Sequence, residues 1–95
     1  MRIIGTIPHP LLKITVFQMD QRISVKFENA SFEQTFKLGI DERYRSMEAV
    51  RKWVDETLVA EVLARMDDMY RSRCEADRRA FGEREASEED FEEII

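Results

Sequence analysis

The chain carries one histidine and one cysteine among 95 residues, so side chains able to ligate a metal or attack a carbonyl are scarce. His9 stands between Pro8 and Pro10. An imidazole titrates near neutrality and ligates metals, but a metal site needs further ligands at a defined spacing. His9 has no such partner in sequence and reads as a loop residue. Cys74 lies among Arg71, Arg73, Arg78 and Arg79, cations that lower a thiol pKa. Glu75 and Asp77 offset them and no base stands nearby, so Cys74 reads as a small helix-face residue at an interface. Glu61 with Arg65, and Glu75 with Arg79, have the i,i+4 spacing of solvated helix pairs. Asp67 and Asp68 point in neighbouring directions on a helix and define no site. There is no glycine-rich phosphate loop, nucleophile elbow or spaced His/Glu metalloprotease pair. The sequence therefore predicts a non-enzyme, with no catalytic, cofactor-binding or metal residue and no cofactor. A catalytic site would need assembly across subunits, with acids of another chain brought to His9.

The elements that could position such residues follow from size and composition. Ninety-five residues make one domain around a single two-layer core. An apolar fraction of 43% excludes wholesale disorder. A single cysteine excludes an internal disulfide and a cysteine zinc knuckle, and it suits a reducing, cytoplasmic compartment. No apolar run approaches the roughly 20 residues that span a bilayer, so no membrane partner is expected. Residues 1–8 show neither the long apolar segment nor the small-residue cleavage site of a secretion signal. Acid excess is local: residues 83–95 hold seven acids and Arg84, so residues 1–82 carry +1 of the chain's −5. The expected organisation is one α+β domain over 1–82 and an acidic, flexible tail over 83–95.

Apolar residues from Leu11 to Leu38 recur at period two, as in half-buried strands. Strands are predicted at about 12–19, 22–28 and 31–38, and a fourth at about 2–7, before the proline break. The polar pairs Asp20-Gln21 and Asn29-Ala30, taken as two-residue hairpin loops, fix the register. The first loop sets Val16 opposite Val25, Ile14 opposite Phe27 and Lys13 opposite Glu28. The second sets Phe27 opposite Phe32, Ile23 opposite Phe36, Gln34 opposite Val25 and Lys26 opposite Glu33. Arg22 then faces Lys37. Gln18 and Gln34 share the apolar face and need partners if buried.

From Met47 onward the apolar residues follow helical spacing through Val50, Val54, Leu58, Val62 and Met66, widened by Trp53, Val59, Leu63 and Tyr70. Ser46 suits the N-cap, and Gly82 suits the position just past the end. One long C-terminal helix over about 46–81 is therefore predicted, packed on a three- to four-stranded antiparallel meander. Such a helix is about 54 Å long, whereas a seven-residue strand is about 23 Å. The sheet covers only about the first fifteen residues of that helix.

Either the helix breaks and folds back, or Val62, Leu63, Met66, Met69, Tyr70 and Cys74 form an interface with another chain; a homodimer through the distal helix is the leading expectation. The first five of these side chains, at roughly 1.5–3 kcal/mol each, rival the stability of a small domain. In the tail, Phe91, Ile94 and Ile95 have i, i+3, i+4 spacing and form a candidate docking motif. The alternative is a nucleic-acid face on the outer sheet made by Lys13, Phe17, Arg22, Lys26 and Lys37. A body at +1 with an acidic tail argues against it. The sequence thus points to a small interaction module.

Overall fold

The computed structural model describes residues 1–82; residues 83–95, with the motif Phe91, Ile94 and Ile95, lie outside the described residues. The chain divides into two units, Met1–Leu63 and Ala64–Ile95. The elements are β1 (Arg2–Ile7), β2 (Lys13–Met19), β3 (Arg22–Glu28), β4 (Glu33–Gly39), a 3₁₀ turn (Glu42–Tyr44), α1 (Met47–Trp53) and α2 (Glu56–Phe81). The four strands form one antiparallel sheet in the order β1-β2-β3-β4, an α+β arrangement with a long C-terminal helix.

Alternation at period two sends Ile14, Val16, Ile23, Val25 and Phe27 to one face, where all five are buried together with Leu12, Val50, Val54 and Val62. An edge-to-face aromatic chain ties this layer together. Phe27 meets Phe36 at 5.8 Å between ring centroids, Phe36 meets Trp53 at 5.4 Å, and Trp53 meets Tyr44 at 6.4 Å. β1 pairs with β2, with a bulge between Ile3 and Gly5. A Cβ on Gly5 would stand 2.6 Å from Met47 Cε, so the bare backbone there admits the first side chain of α1.

The β2–β3 hairpin has the expected register, with Lys13 opposite Glu28, Ile14 opposite Phe27 and Val16 opposite Val25. Asp20, the first loop residue, takes a left-handed φ of 55°. The β3–β4 register is corrected by two residues: Val25 faces Phe36, Phe27 faces Gln34, Lys26 faces Thr35 and Lys37 faces Ser24. The cause is Asn29, whose Oδ1 accepts from the amides of Ser31 and Phe32, both at 2.8 Å. These bonds build a longer loop than two residues and start β4 at Glu33. A two-residue offset leaves every side chain on its face, so the core alternation survives.

A single helix over 46–81 is also corrected. Ser46 does cap α1, accepting from the Ala49 amide at 3.0 Å, but Val54 leaves helical geometry at φ −86° and ψ 78°. Asp55 then caps α2, its Oδ1 accepting from the Leu58 amide at 2.8 Å. Val54 and Val59 occupy the N′ and N4 positions of a hydrophobic staple around that cap. The restart brings the Val62 carbonyl to the Gln34 side-chain amide, which donates to it at 2.9 Å. Gln34 thereby finds the partner its position demands, and Gln18 donates to the Asp20 carbonyl at 2.8 Å. At the far end Gly82 takes φ 93°, and its amide donates to the Arg78 carbonyl at 2.9 Å. Among the described residues the ion pairs along α2 are Arg71–Asp68 at 2.9 Å and Arg73–Asp77 at 4.0 Å. No described helix is long and apolar enough to cross a membrane.

Candidate functional site

Residues directly opposite in an antiparallel sheet share a face, so the register writes out the surface opposite the core. One row runs Lys13, Glu28, Glu33; the next runs Thr6, Thr15, Lys26, Thr35; the third runs Ile3, Phe17, Ser24, Lys37. Met19 and Arg22 close the lower end beside the β2–β3 loop. Charge is graded along these rows. Glu28 and Glu33 stand at one end, while Arg22 and Lys37 stand at the other. Lys26 leans toward Glu28, Nζ to Oε1 3.4 Å, and lies 5.3 Å from the centroid of the Phe17 ring.

At the basic end Phe17, Met19, Arg22, Ser24 and Lys37, with Met1, border a cavity of about 310 Å³. Gly39 closes it, at a φ of 78° that follows a register shift between Ile23 and Ser24. Among the described residues no carboxylate lines this cavity. Arg22 and Lys37 enter no ion pair among the described residues. Met1, Ile3 and Met19, at 79%, 61% and 47% exposure, make the surrounding surface apolar. Of the five residues proposed for a nucleic-acid face, all lie on this side of the sheet. The structure gathers only Phe17, Arg22 and Lys37 at the cavity and leaves Lys13 and Lys26 in other rows. Met19 follows Phe17 by parity, whereas the part played by Met1 and Gly39 carries no periodic signal.

The candidate helix residues divide. Val62 is wholly buried, and Met66 is 4% exposed. Leu63, Met69 and Cys74 are half-buried, and Tyr70 is exposed. A side-chain hydrogen bond with Cys74 and proximity to that thiol hold the Tyr70 hydroxyl above its ordinary pKa. Cys74 is a free thiol.

His9 borders a second cavity, of about 440 Å³, with Pro8, Asp55, Glu56, Val59 and Leu63. Its Nδ1 accepts from the Leu11 amide at 3.1 Å, while Asp55 Oδ1 is engaged at the α2 cap. The acids beside His9, Asp55 and Glu56, come from the same chain, and the side chains of His9 and Asp55 already serve the backbone. No group of three or more His, Cys, Asp or Glu residues among the described residues is placed to hold a metal ion.

Fold and surface together define a small α+β domain with an amphipathic, basic cavity on the open face of its sheet. No family model, curated protein or solved structure matches the chain.

Proposed function

We propose that this chain is a small, non-enzymatic protein-interaction module that pairs with a second copy of itself through the distal half of α2. One observation carries the reading: Tyr70 and Phe81, 62% and 64% exposed, share a helical stripe with Cys74 and Asp77. The described part of the Ala64–Ile95 unit is this helix alone, which has no second element in its own unit to cover the stripe. Most of a helix's stability comes from packing its apolar face, and burial of a large side chain contributes roughly 1.5–3 kcal/mol. The face of α2 that runs Tyr70, Arg73, Asp77 and Ala80 beside this stripe is also self-complementary. Two copies crossing antiparallel about Glu75 bring Arg73 against the second copy's Asp77, and Tyr70 against the second copy's Ala80. The lone thiol suits a reducing, cytoplasmic setting.

Size-exclusion chromatography with light scattering tests this. A dimer mass is expected at tens of micromolar, with Tyr70→Glu shifting it to monomer while Trp53 fluorescence stays unchanged. Arg73→Asp is expected to weaken the dimer, and Arg73→Asp with Asp77→Arg to restore it. A monomer at every concentration overturns the reading.

A further inference from the structure

We infer that the cavity at the Arg22–Lys37 end of the open sheet face binds a short acidic peptide segment carrying one large apolar side chain. The inference uses no residue of α2 and stands apart from self-association. Its volume, about 310 Å³, lies at the small end of ligand pockets and suits one anchoring side chain. Phe17, Met1 and Met19 supply the apolar walls, and unbranched thioethers adapt to anchors of different shape. Arg22 and Lys37 line the cavity, and among the described residues no carboxylate lines it and neither cation is spent on an ion pair. Ser24, between them in the β3 register, adds a hydroxyl. An occupant must therefore be anionic around an apolar centre.

A nucleic-acid strand has both properties, yet two features turn it away. Lys26 already lies over the Phe17 ring that a base would stack on, held there beside Glu28. A strand continuing up the face would then meet Glu28 and Glu33, whose charges repel its phosphates. A peptide with acids flanking a single anchor needs only the basic end.

Fluorescence anisotropy of a labelled hexapeptide, Glu-Asp-Glu-Phe-Glu-Asp, titrated with the full chain at low salt, tests the inference. Saturable binding is expected, weakened at least tenfold by Arg22→Glu or by Lys37→Glu. Lys13→Glu, at the other end of the same face, is expected to change it less than twofold. Replacing the peptide's phenylalanine by serine is expected to abolish it. On the unaltered chain, amide shifts are expected to move at Phe17, Ser24 and Lys37, a readout independent of how any variant folds. Absence of saturable binding, or equal losses from Lys13→Glu and Arg22→Glu, overturns the inference. So does tighter binding of a labelled oligothymidine that the same two variants at the cavity abolish.

Discussion

Thr15 is 2% exposed, and its hydroxyl is the one buried side-chain polar atom without a partner among the described residues. A buried hydroxyl left unpaired costs roughly 1–3 kcal/mol, whereas valine has nearly the same shape and no polar atom to satisfy. Thr15→Val is therefore expected to stabilise the chain by about 1 kcal/mol. In a thermal melt that corresponds to a rise of roughly 4–8 °C for a domain of this size; an unchanged or lower midpoint counts against it. Tyr70 offers a second test. Its hydrogen bond with Cys74 raises the hydroxyl's pKa, so whatever stability the bond lends is complete below the ordinary tyrosine pKa. That stability is lost as pH climbs through the raised value. Cys74→Ala is expected to bring the Tyr70 ionisation back toward its ordinary range in an ultraviolet titration, with Tyr44 as the internal reference.

Among the elements, the helix break shows what spacing alone conveys. Every apolar position from Met47 to Tyr70 obeys helical periodicity, and no glycine or proline interrupts it. Periodicity reports which face is greasy; it does not report where one helix stops and another begins. The signal that decides is Asp55, an acid with free capping geometry followed by Glu56 in the first turn. Asp55→Ala removes that cap and is expected to cost about 1 kcal/mol in urea unfolding, while Asp55→Asn or Asp55→Ser is expected to retain most of it. The strands were more legible. Alternation located the sheet and its two faces, and the β2–β3 pairs followed from a loop of two residues. The β3–β4 pairs were not legible, because the Asn29 side chain lengthens the loop through bonds that a residue count ignores. The candidate site was readable to the same depth: parity puts Phe17, Arg22 and Lys37 on one side. The cavity among them depends on the bulge at Ile23 and the left-handed Gly39, neither of which alternation encodes.

Over the whole chain, the two units differ in what holds them. Met1–Leu63 owns a sheet, an aromatic chain and nearly all the buried residues, with Trp53 as its only tryptophan. The described part of Ala64–Ile95 is one helix. On heating, far-UV ellipticity is expected to fall before Trp53 fluorescence changes, since a helix without a layer of its own opens at lower cost. Under the proposed self-association, raising the protein concentration is expected to move the early phase upward and leave the late one in place. Coincident transitions at all concentrations would mean that the chain melts as one body. The corner at Asn29 also bears on how such a chain tolerates change in length. Losing or gaining a pair of residues there slides β4 by one pleat repeat and keeps Phe36 and Leu38 inward; an odd number rolls the strand over and turns its oily side to water. Insertions and deletions at this corner in related chains should accordingly come in twos.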